Sequence, residues 1–158
     1  MRRRTRAREI AVQFLYQLDL RGDEALELLH DYVEGESKDN EVRDFAIRLI
    51  QGARRHLQDT DKHLVEVTRN WDLSRMATLD RNVLRMAVFE LLHCPDIPPK
   101  VTINEAIEIG KKYSTANSGA FINGILDRVR MDGLEKDQLE TDQPKKDQLE
   151  ESSPSAES

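Results

Sequence analysis

Residues 83–92 read Val83-Leu84-Arg85-Met86-Ala87-Val88-Phe89-Glu90-Leu91-Leu92, and eight of these ten are apolar. Wound into an α-helix, they put apolar side chains on nearly every side. A helix of that kind belongs in the middle of a bundle, ringed by others. The rest of the chain supplies the ring. Ala7, Ile10, Ala11, Phe14, Leu15 and Leu18 share one helical face and stop near Gly22. A second stretch, about 23–34, offers Ala25, Leu28, Leu29 and Tyr32 or Val33 before Gly35. Val42, Phe45, Ala46, Leu49, Ile50 and Ala53 follow the i, i+3, i+4, i+7 pattern closely. Leu57, Leu64, Val65 and Thr68 make a fourth helix ahead of Trp71.

After the central segment, Pro95-Asp96-Ile97-Pro98-Pro99 breaks the helix. The next is expected to be capped by Thr102, with Glu105 completing a capping box and Val101 stapling onto Ala106. Ile103, Ala106, Ile107 and Gly110 point inward. A last helix follows Ser114–Gly119, with Phe121, Ile122, Ile125, Leu126 and Val129 as its apolar positions. Asn123-Gly124 suggests a hairpin turn in isolation, but helical periodicity on both sides opposes it. No run alternates with period two. The expectation is an all-α protein of about seven helices.

The chain has 158 residues, enough for one ordinary domain with a real core. Its net charge of −6 conceals three regions. Residues 131–158 hold nine acids and three lysines and so carry the whole −6, with KDQLE at 136–140 and again at 146–150. So little apolar surface cannot offset the entropy of ordering, and 131–158 is expected to be a disordered acidic tail behind a helical domain of 1–130. The body is neutral, yet its first eight residues carry five arginines and no acid. Membrane and secreted-scaffold readings drop out: no apolar run approaches the roughly 18–20 residues of a span, no signal segment follows the arginines, and Cys94 is the only cysteine. A cytoplasmic location is expected.

Catalytic chemistry is absent from the motifs. Gly119 and Gly124 have the Walker spacing, but Ile125 stands where lysine must be. His30, His56, His63 and His93 form no HExxH or other helical ligand pair, and Cys94 beside His93 is not a Cys/His cluster. No enzyme, metal or cofactor is expected. The arginines do stand out. First-turn cations oppose the helix dipole, so Arg2, Arg3, Arg4, Arg6 and Arg8 are misplaced for stability. Two readings stand: a solvated terminus, or a phosphate-binding arm whose planar guanidinium forks grip phosphate and stack on bases. Phe121 likewise reads as core, or as a stacking platform near a helix start.

Four stretches together are similar to a known family. These are Arg4-x-Arg6-Ala7-Arg8-Glu9 running into Gln13-x-Leu15-Tyr16; Leu84-Arg85-x-Ala87-x-x-Glu90-Leu91; Val101-x-Ile103-Asn104-Glu105-Ala106-Ile107-Glu108; and Phe121-x-Asn123-Gly124-x-Leu126-Asp127. In this order and spacing the chain resembles, over about 1–130, the NusB family of bacterial transcription antitermination factors. Residues 23–76 match only as helices. The resemblance implies an all-helical fold of two packed bundles. It implies binding to boxA RNA, a single-stranded element of ribosomal RNA transcripts, together with NusE, a small-subunit ribosomal protein, within an RNA polymerase antitermination complex that reads through terminators. Carried over, it nominates Arg4, Arg6, Arg8 and Phe121 for the RNA face. Thr5 interrupts the family's arginine run, with Arg2 or Arg3 as the substitute. Tyr16 and Asp80 are nominated for the NusE face. Two rival readings stay open: a structural homodimer, in which the arginine helix meets acids of a second copy, and the RNA-binding part of a ribosomal RNA cytosine methyltransferase, whose Rossmann-like catalytic domain 158 residues leave no room for.

Overall fold

Apolar periodicity dictates the elements, and the computed structural model places them. It describes residues 2–69 and 72–141, with side chains through residue 134. In chain order the α-helices are α1 (Arg2–Arg21), α2 (Leu29–Glu36), α3 (Asn40–Arg55), α4 (Leu57–Val67), α5 (Thr78–His93), α6 (Pro99–Tyr113) and α7 (Ser118–Thr141). Short 3-10 segments at Asp23–Leu28 and Leu73–Arg75 lead into α2 and α5. No strand occurs among the described residues.

The apolar segment at 83–92 sits where its composition demands. α5 packs on α1 and α3 on one side and on α4, α6 and α7 on the other, so it is shared by an N-terminal and a C-terminal bundle. Val83, Leu84, Met86, Ala87, Val88 and Phe89 are all buried. The approach to α3 is close. A methyl group placed on Gly52 would come within 2.0 Å of the Phe89 ring, so the absence of a side chain there lets the two helices close. α1 ends at Gly22, whose φ of 90° is the left-handed conformation glycine adopts freely. Beyond it the chain tightens into 3-10 turns before α2 begins, and of the apolar positions expected in 23–34, Leu28 is exposed while Leu29 and Val33 are buried.

Two expectations change. α6 starts at Pro99, three residues before Thr102, because a proline at the first helical position needs no N–H partner and presets φ. Thr102 therefore lies inside the helix, buried, and caps nothing. At the other end, α7 continues to Thr141, so a boundary after residue 130 falls within a helix; the first KDQLE lies in α7, and the second, like Trp71, is outside the described residues. Asn123 and Gly124 sit within α7 with no turn.

Gly52 offers a test of the central packing. Gly52→Ala gains helix propensity, about 1 kcal/mol, but drives a methyl into a rigid, packed ring. A net loss of about 1–3 kcal/mol is expected in chemical denaturation, with recovery when Phe89 is shortened to Leu in the same chain.

Candidate nucleic-acid interface

The arginines at the start of α1 divide by helical geometry. Arg8, nearly two turns inside the helix, faces the core. Its side chain is only 1% exposed and forks onto Glu90 of α5, with Nε and Nη2 donating at 2.7–3.1 Å. The Glu90 Oε1 also accepts from the Thr102 hydroxyl of α6 at 3.2 Å. Glu105 stands 3.7 Å from Arg8 Nη1 and accepts from the Thr5 hydroxyl at 2.7 Å. The Arg8 guanidinium, nominated for the RNA face, is thus turned inward here and holds the arm in place.

Arg3, Arg4 and Arg6 remain on the outside. Arg3 bridges Asp39 at 3.0 Å and Glu41 at 2.8 Å, and these carboxylates hold the guanidinium more firmly protonated, the Glu41 hydrogen bond most of all. Arg6 meets Glu36 at 2.8 Å. Arg4 lies over the Phe45 ring of α3, 4.5 Å from its centroid. Acids from α2 and the start of α3 thus supply the countercharge that the first turn of α1 lacks. Exposed pairs of this kind contribute roughly 0–1 kcal/mol each and exchange partners readily.

α6 connects this arm to α7. Its Lys112 reaches Glu9 of α1 at 2.7 Å, and the Tyr113 hydroxyl donates to the same carboxylate. Burial pushes the Glu9 carboxyl up, but these two donors outweigh it and hold it below the usual range. α6 then packs along α7, whose first turns carry Phe121, half-buried against the core. Phe121 stands on α7 and the arginines on α1. They belong to two helices joined through α6.

Tyr16, three turns along α1 from Arg4, is exposed in a groove of about 420 Å³ with Gln13, Gln17, Tyr32, Leu79 and Tyr113. The start of α5 thus does meet α1 there, through Leu79. Asp80 itself is buried, with Oδ2 accepting from the Ser118 hydroxyl at 3.1 Å. The nominated partner residue thus tethers the first residue of α7, and its Oδ1 has no hydrogen-bond partner.

Periodicity marks Phe45 as a core position only and gives no signal for Arg48. Both lie on α3, three residues apart, and Arg48 reads as a solvated cation until the fold brings α1 over the ring. No group of three or more potential metal ligands occurs among the described residues.

The NusB family model matches residues 5–131. The chain belongs to the NusB family. A transcription antitermination protein NusB from Anaeromyxobacter dehalogenans is 51% identical over 128 residues, covering 80% of this chain and 89% of that one. A solved structure of T. maritima NusB is 41% identical with a TM-score of 0.72, covering 81% of this chain and 90% of that one. A chain from a crystal structure of antitermination factors NusB and NusE in complex with dsRNA is 30% identical with a TM-score of 0.76, covering 83% of this chain and 98% of that one.

Membership in the NusB family leaves the Arg8–Glu90 pair open to a direct test. Arg8→Ala strands a buried carboxylate and is expected to cost about 3–5 kcal/mol in urea denaturation. Replacing both partners by methionine removes both charges together and should recover much of that loss.

Proposed function

We propose that this chain is a non-enzymatic antitermination factor that binds single-stranded boxA-type RNA of ribosomal RNA transcripts together with NusE, promoting read-through by RNA polymerase in the cytoplasm. The observation that carries the proposal is the arm at the start of α1. Arg3, Arg4 and Arg6 stay outside while Arg8 anchors the helix beneath them, so three guanidinium forks stand on a rigid base. The structure of NusB and NusE with dsRNA, from a chain of the same fold, supports both partners.

In this reading the RNA backbone exchanges with the carboxylates of Glu36, Asp39 and Glu41, each phosphate taking over a guanidinium that a surface acid holds in the free protein. Arginine suits the exchange because its fork accepts either anion in the same bidentate geometry. Phe121, in the first turn of α7, supplies a ring on which a base stacks. NusE takes the groove around Tyr16, where three tyrosines provide large, rigid contact area with polar tips. Asp80 serves that face indirectly, by fixing the start of α7.

Arm and ring are tested separately. For RNA binding by the full chain, log affinity should fall with log salt at about −0.7 per phosphate neutralised. The Arg3/Arg4/Arg6 triple alanine variant should flatten that slope by about two units. Phe121→Leu, which keeps most of the packing but loses the stacking face, should weaken binding about tenfold, within the range of a base–aromatic stack, while the melting temperature barely moves. An unchanged slope and affinity in the triple variant would refute the arm.

A further inference from the structure

Between the first turns of α1 and the middle of α3 runs a groove lined by Arg3, Arg4, Glu41, Asp44, Phe45 and Arg48. The Phe45 ring carries Arg4 at 4.5 Å from its centroid, the buried Arg8 at 5.3 Å and Arg48 at 6.0 Å, so besides Arg8 two outward guanidiniums from different helices share one aromatic ring. Each is within cation–π reach, and the ring holds both without neutralising either. Arg48 is also gripped from the proline loop. Asp96 accepts from its Nη1 at 3.1 Å and its Nη2 at 2.8 Å, a fork-to-fork pair left 40% and 49% exposed.

The Asp96 carboxyl is held down to about 2, by the Arg48 hydrogen bonds first and with help from the charge of Arg4. The free protein therefore already keeps one monoanion in the field of both arginines. A phosphodiester carries the same single charge and presents the same pair of oxygens to a guanidinium fork.

We propose that Arg48 is a further RNA-contacting residue: with Arg4 it takes one backbone phosphate in the α1–α3 groove, and Asp96 is the resident carboxylate which that phosphate displaces. This rests on the RNA-binding reading of the arm and extends it from α1 onto α3. The rival account makes Arg48–Asp96 a clamp that ties the proline loop to α3 and has no part in binding.

The two accounts differ in sign. In fluorescence anisotropy with the full chain and a single-stranded boxA RNA at low salt, Arg48→Gln should weaken binding about three- to tenfold, between an exposed ion pair and a charge-assisted hydrogen bond in size. Its log–log salt slope should be shallower by about 0.7. Asp96→Asn should do the opposite and tighten binding about two- to fivefold by removing the competing anion. In the double variant the Asp96→Asn gain should vanish. Melting temperatures measured alongside show that each variant is folded. If Arg48→Gln leaves affinity unchanged, or Asp96→Asn fails to tighten binding, the inference is overturned. It is overturned equally if both variants weaken binding together with a fall in melting temperature, as a clamp requires. Arg6→Ala and Phe121→Leu, measured in parallel, separate the levels: loss of binding there with no effect at Arg48 refutes only the extension, whereas no effect at any of the three refutes the RNA reading itself.

Discussion

A buried guanidinium is the constraint on which the arrangement of this protein depends. Taking an arginine and a glutamate out of water is costly, and the pair persists only where geometry satisfies the whole fork. Here Arg8 of α1 meets Glu90 of α5 through two of its nitrogens, Glu90 takes a further hydrogen bond from Thr102 of α6, and Glu105 closes the far side. Three helices are thereby fixed in register by directional contacts, where hydrophobic burial alone would tolerate sliding. The short sequence patterns around Arg8, around Glu90 and around Asn104-Glu105 converge on this one buried cluster.

What lies outside follows from what lies inside. Once Arg8 is pinned inward, the 3.6-residue period leaves Arg4 one turn above it, over Phe45, with Arg3 and Arg6 to either side. Cations crowd the positive end of the α1 dipole, an arrangement that disfavours the helix on its own. The compensation is tertiary: Glu36, Asp39 and Glu41 arrive from α2 and α3, and the core contacts of Ala7, Ile10 and Ala11 hold the turn regardless of its charge. Stability is thus supplied from neighbours while the surface stays rich in exchangeable arginines.

Much of this was legible in the sequence, and the parts that were not share a cause. Apolar content on nearly every side marks the central α5, and apolar period marks the inward faces of α1 and α3, because burial repeats with the helix. The start of α6 was misplaced at Thr102 since the Thr-x-x-Glu pattern imitates a capping box, whereas both residues serve the Arg8 cluster. Arg8 looked like its neighbours because composition does not distinguish an arginine facing out from one facing a glutamate 82 positions away. Asp80 was nominated for the partner face by resemblance and proved to be buried on Ser118. Arg48 went unnoticed for the same reason: its meaning depends on Asp96 and on a ring that α1 covers only in the folded chain. Periodicity reports which face is buried. It does not report which charges meet.

The rigidity of α1 has one more consequence. Arg4 and Tyr16 are twelve residues apart on an uninterrupted helix, a separation of about 18 Å along its axis. The proposed RNA arm and the proposed NusE groove are therefore two stations on a single rod, and neither can turn relative to the other without unwinding it. α6 adds a second strut, because Tyr113 lines the groove while its hydroxyl donates to Glu9, between the two stations. Asp80 ties the start of α5, at the groove, to the first turn of α7 that carries Phe121. A protein bound at the groove and an RNA bound at the arm and ring would then be held in a fixed mutual orientation. An RNA strand running off the arm would meet the bound protein at a defined distance and angle. Such a scaffold needs no catalytic group. Its contribution is geometry, and the buried Arg8–Glu90 pair keeps that geometry from relaxing.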